Sequence, residues 1–127
     1  MNPVLRAAVA AGVTGSLIEA VSWLIIVVVM PATVTSDTIA IPTFAITVAV
    51  MYIVAPFLAG YAGGYVSGER NALIGSLAGF PLAYMLIATA SGFVHFTDAW
   101  ILAAILAGQV IVGHVFAIRG HRPVLAR

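Results

Sequence analysis

Glu19 is the one ionisable side chain set deep inside an apolar stretch of this sequence. At 1.5 Å of rise per helical residue it lies about 20 Å from Arg6 and about 16 Å from Met30, near the middle of a helix long enough to cross a bilayer. An isolated carboxylate is strongly disfavoured in hydrocarbon, so a glutamate at that depth is either neutral and hydrogen-bonded or engaged with a cation. Counting inward from the ends of the other apolar stretches places Tyr52, Tyr84 and Gln109 at similar depth, one on each. Two chemistries are open to these four residues. In one, Glu19 exchanges a proton for a cation or a proton-coupled solute, desolvation favouring its neutral form. In the other, Glu19 keeps its proton and joins helices by bonding Gln109 or a tyrosine hydroxyl. Three- and four-residue steps along a helix connect Glu19 with Gly12, Gly15, Ser16, Ser22 and Trp23, a small and polar stripe expected to face protein.

Other groups carry less. His114, on the last apolar stretch, invites a haem or pigment ligand. No second histidine lies at matching depth, so a hydrogen-bonded or water-contacting imidazole is the expected state. Asp37, His95 and Asp98 fall in connecting segments, His95 and Asp98 three residues apart, and offer at most a loose set of metal ligands. No metal and no cofactor is expected. The chain has no cysteine, which excludes disulfides, thiolate metal sites and iron–sulfur clusters. It has no nucleophile elbow, phosphate loop or zinc-protease motif, so it is not expected to be an enzyme.

The elements that must position these residues follow from composition. Of the 127 residues 63% are hydrophobic and 7% charged, where about a quarter would be charged in a soluble domain. Mean hydropathy is +1.17. The expected fold is an all-α polytopic membrane protein, a single domain over residues 1–127, with four transmembrane helices in a bundle at about 4–30, 39–66, 71–94 and 99–118. A short basic tail, 119–127, follows. Pro31 is read as lying just past the first span, and the polar segment from Pro31 to Thr38 as a short loop with Ser36 or Asp37 as a cap. Pro42 belongs to the first turn of the second span. Pro56 and Pro81 lie inside spans and predict bends. Thr97 or Asp98 is the expected cap of the fourth span.

Six of the twelve glycines fall between Gly60 and Gly79. Gly60, Gly64 and Gly68 recur every four residues and stack on one helical face; Gly75 and Gly79 repeat the pattern after the turn at Gly68-Glu69-Arg70-Asn71. Small side chains let backbones approach, which in lipid replaces apolar burial as the drive for helix association. These five glycines are the expected helix-packing residues. The arginines add orientation: Arg6, Arg70, Arg119, Arg122 and Arg127 all fall on the side of the N-terminus, the middle loop and the tail. The positive-inside rule then places both termini in the cytoplasm of a cell membrane.

Length, four apolar stretches and a lone first-span glutamate resemble the small multidrug resistance transporters, and Glu19 is the residue that carries the resemblance. That family's third-span tryptophan and tyrosine arrangement is missing here, and the charge of the loops is one-sided. The Thr-Thr-Phe-Ser stretch and membrane asparagine of the small fluoride channels are missing too. The hairpin LAGYAGGYVSGERNALIGSLAG is similar to small glycine-rich four-span membrane proteins of archaea and Gram-positive bacteria that have no assigned function. Taken together, the leading expectation is a non-enzymatic protein that packs through Gly-xxx-Gly helices as a subunit of a membrane complex or a homo-oligomer. The alternative is a small transporter or channel centred on Glu19. The expected partners are the lipid bilayer and other membrane subunits or further copies of the chain, with no nucleic acid.

Overall fold

The computed structural model describes residues 2–33, 35–92 and 95–125, and the side chains of 96 and 121–125 lie outside that description. Among the described residues the fold is all-helical, with four long helices: α1 (Pro3–Thr33), α2 (Asp37–Ser67), α3 (Arg70–Ala90) and α4 (Phe96–Leu125). Each contains a stretch long and apolar enough to cross a membrane. At 1.5 Å per residue even the 21 residues of α3 reach about 31 Å, the thickness of a hydrocarbon core. Large apolar side chains face outward all round, Leu17 at 62% exposure and Ile41 at 68% among them, an arrangement suited to a hydrocarbon surround rather than water.

Local signals set the ends. Asn2 caps α1 by accepting the Val4 amide at 2.8 Å, and Pro3 takes the first helical position, where its missing N–H costs nothing. Ser36 occupies the N-cap position of α2 with an extended backbone, and Asp37 adds a negative charge to the first turn. Gly68 closes α2 at φ 67°, its amide bonding the Gly64 carbonyl at 2.8 Å; this left-handed conformation favours glycine. Gly68 therefore ends the helix as its left-handed cap. At α4 the carbonyl of His95 receives the Ala99 amide, so Thr97 and Asp98 are already helical rather than capping.

Four further boundaries differ from the sequence reading. Pro31 lies within α1, and Pro42 is the sixth residue of α2 because that helix starts at Asp37. The end of α3 is Ala90, followed by a turn with Gly92 at φ 76°; Val94, the expected last residue of that span, lies outside the described residues. α4 runs on to Leu125, since a change from apolar to polar residues ends a hydrophobic stretch without ending a hydrogen-bond ladder. Three of the interior prolines are accommodated in the same way, whereas Pro42 sits within a regular α-helical stretch. Five-residue π turns at Ile25–Val29, Val50–Val54 and Ala78–Leu82 accompany Pro31, Pro56 and Pro81. A proline removes one amide donor and crowds the carbonyl four residues earlier, and widening the turn relieves both.

α1 packs along the second half of α2 and the first half of α3, and α4 lies on the other flank of the same half of α2. Glycines set both approaches. A Cβ on Gly60 would overlap the Val110 carbonyl oxygen, and one on Gly113 the Phe57 carbonyl oxygen, so α2 and α4 touch through reciprocal backbone contacts. On α3, a Cβ at Gly75 or Gly79 would strike the Val4 or Ala8 carbonyl of α1. Ala11, Ala55, Ala59, Phe80, Leu106 and Val110 form the core between these interfaces.

Candidate functional site

The buried stripe of α1 is Ala7, Ala11, Gly15, Glu19 and Ser22, steps of four, four, four and three. Small residues below Glu19 bring α1 close to its neighbours, and Gly15 makes room for the Phe80 ring, which a Cβ there would overlap. Above that point α1 and α3 draw apart. Between α1 and α3 lies a cleft of about 770 Å³ with Glu19, Trp23, Tyr52, Phe80 and Tyr84 in its walls. Leu24, Val28 and Ile87, all exposed, form its outer part, so the cleft opens on the flank of the bundle. Ser16 and Trp23 sit at its exposed edge rather than in the protein-facing stripe expected of them.

The Tyr52 and Tyr84 hydroxyls share a hydrogen bond of 3.0 Å, and the rings meet edge to face with centroids 6.3 Å apart. Phe80, one turn before Tyr84, continues the aromatic wall at 6.2 Å. Glu19 is only 9% exposed, and among the described residues neither carboxyl oxygen has a hydrogen-bond partner. A buried acceptor left unpaired costs roughly 1–3 kcal/mol. All three π turns supply wall residues: Val27 and Val28 from the first, Tyr52 from the second and Phe80 from the third. Such turns recur at functional sites because they re-aim side chains without ending a helix.

Gln109 is not part of this group. It lines a separate groove of about 320 Å³ between α2 and α4, with Ile53, Phe57 and Val112, and its side-chain oxygen is buried without a partner among the described residues. Depth along a helix is one coordinate and direction around it another, and Gln109 shares only the first with Glu19. The bond between Glu19 and Gln109 expected of an interhelical link is therefore not formed.

His114 is fully buried and engaged at both nitrogens. Nε2 lies 3.2 Å from the Glu69 carbonyl and donates to it, which leaves Nδ1 to accept from the Ser76 hydroxyl at 2.9 Å. The imidazole thus pins α4 to α3 and to the α2–α3 turn, and no nitrogen is left for a haem or pigment. His114→Leu is expected to lower stability in detergent by about 2 kcal/mol, leaving a hydroxyl and a carbonyl unpaired. Ser76→Ala should cost less than about 1 kcal/mol, in line with membrane hydrogen bonds. Equal thermal midpoints for wild type and His114→Leu would contradict the pin. Asp37, His95 and Asp98 are exposed, and no group of three metal-ligating side chains forms among the described residues.

Sequence reasoning found Glu19, Tyr52 and Tyr84 by depth but missed Phe80 and Ser76. The four-residue spacing of Phe80 and Tyr84 was the available signal for the first; nothing local pointed to the second. Compared with protein-family models, curated proteins and solved structures, the chain matches none.

Proposed function

We propose that this is a small, non-enzymatic membrane transporter for a cation or a proton-coupled solute, with Glu19 as the group that exchanges a proton for substrate. The observation that supports it is the pair of buried Glu19 oxygens, without partner among the described residues, in the wall of a cleft large enough for a ligand. Proton movement in vesicles reconstituted with the wild-type protein tests it. Addition of a transported cation should move protons in the opposite direction; silence across a panel of inorganic and organic cations would sink the reading.

The arginine distribution supports both termini in the cytoplasm of the cell membrane, with Asp37 and Asp98 outside. Impermeant thiol reagent added to whole cells should label Asp37→Cys and Asp98→Cys and leave Asn71→Cys untouched. Labelling of the Asn71 position from outside would reverse the orientation.

A second reading, a homo-oligomer or complex subunit, is favoured by Gln109. Its unpaired oxygen lies in a groove on the flank of the bundle, where an amide from another helix would satisfy it. The hairpin glycines do not add to this reading, because Gly60, Gly64, Gly75 and Gly79 all meet helices of their own chain.

A further inference from the structure

We propose that Arg6, together with Arg70 of the neighbouring turn, holds the phosphate of an anionic phospholipid in the leaflet on the side of the N-terminus, with the lipid's acyl chains lying along the outward face of α1. Neither arginine lines the Glu19 cleft, so this site stands or falls apart from the transporter reading.

Arg6 lies in the first turn of α1, about 5 Å of rise from Pro3, where a helix of this length enters the headgroup region. Its Nε is buried and has no hydrogen-bond partner among the described residues, although the residue as a whole is partly exposed. A buried donor without an acceptor is unfavourable, and for a guanidinium the partner that fits is an anion. The bundle is poor in them at this end. Of the four acids in the chain, Glu19 is about 20 Å further along α1, and Asp37 and Asp98 stand at the starts of α2 and α4, the far end of the bundle. Only Glu69, itself exposed, shares the end that carries Arg6, Arg70 and Arg119.

Arg70 is placed to join Arg6. The α2–α3 turn packs on α1, and the approach is close, since a Cβ on Gly75 would overlap the Val4 carbonyl oxygen two residues before Arg6. The turn is held there by the His114 imidazole, which donates to the Glu69 carbonyl, while the Arg70 side chain stays exposed. Guanidinium forks suit a phosphodiester, whose oxygens accept paired N–H bonds. What lies beneath Arg6 points to a lipid rather than a free phosphate. Val13 and Leu17, seven and eleven residues on, share its helical face and are both exposed, an apolar bed below a cationic head. The excess of arginine over acid at this end favours an anionic lipid over a zwitterionic one, whose ammonium the arginines would repel.

Full-length protein reconstituted in vesicles of equal parts phosphatidylglycerol and phosphatidylcholine, with the lipid retained after mild detergent extraction counted by mass spectrometry, tests this. Phosphatidylglycerol should be retained about fivefold or more over phosphatidylcholine, the scale of one basic side chain at an anionic surface. Arg6→Gln should bring the two lipids close to parity, and Arg6→Lys, which keeps the charge without the fork, should retain part of the preference. Arg70→Gln changes an exposed side chain, so it should fold normally and lower the preference about twofold or more, which keeps the test standing should Arg6→Gln fail to fold. Equal retention of the two lipids by the wild type overturns the proposal, as does a preference that both glutamine variants leave unchanged. Displacement of phosphatidylglycerol by inorganic phosphate at matched ionic strength overturns it too, since it would mark an anion site that no acyl chain helps to fill. Proton flux through Glu19 is measured separately, so a loss of lipid preference leaves the transporter reading untouched.

Discussion

Gly60→Ile is expected to leave little folded protein in detergent, while Gly108→Ile, a chemically identical change on the neighbouring helix, shifts the thermal midpoint only slightly. At Gly60 even the first added carbon overlaps the Val110 carbonyl oxygen, and the obstacle is backbone, which cannot rotate away. Overpacking a core with side chains as neighbours typically costs about 1–3 kcal/mol, and separating two helix backbones should exceed that. The contact is mutual, since Gly113 meets the Phe57 carbonyl oxygen one turn away, so pushing α2 off α4 at one point breaks the seam at the next. Gly108 has nothing within 4 Å of an added Cβ. Its replacement adds an outward side chain and replaces the weaker helix former. Similar midpoints for the two variants would mean that the α2–α4 seam does not hold the bundle.

The four helices and the glycine approaches were legible because each has a signal that survives in one dimension: a long apolar run, or small residues at four-residue spacing. What the glycines touch was not legible. Gly75 and Gly79 continue the periodicity of Gly60 and Gly64, yet the first pair receives α1 and the second α4, a choice made by how four helices share space. Prolines were informative but ambiguous. Pro31 reads as a stop after an apolar run, yet α1 carries it by opening a π turn and continues to Thr33. Similar turns at Pro56 and Pro81 carry Tyr52 and Phe80 into the cleft, so the same residues that blur the helix boundaries shape the site. Gln109 shows the limit from the other side: its depth matches Glu19, but the angle that sends it into another groove is set by the packing of α4 on α2.

Glu19→Gln is expected to abolish proton movement while leaving the protein at least as stable as wild type. The two roles open to a glutamate at this depth predict opposite signs for stability. A carboxyl linking helices holds partners, and Glu19→Ala would then leave them unpaired and cost roughly 1 kcal/mol, the scale of membrane hydrogen bonds. Here neither oxygen has a partner among the described residues, so truncation removes an unsatisfied buried acceptor and no bond. Glu19→Leu, which fills the same space without polar atoms, should raise the thermal midpoint, in the way functional groups are commonly held at the expense of stability. Glutamine keeps the shape of the side chain and cannot exchange a proton, so it separates chemistry from packing. In vesicles, a cation gradient that drives protons through the wild type should drive none through Glu19→Gln, with both proteins incorporated equally and eluting as the same species in detergent. A lower midpoint for Glu19→Gln and Glu19→Leu, with flux intact, would show that Glu19 stabilises the bundle and that the substrate, if there is one, passes elsewhere.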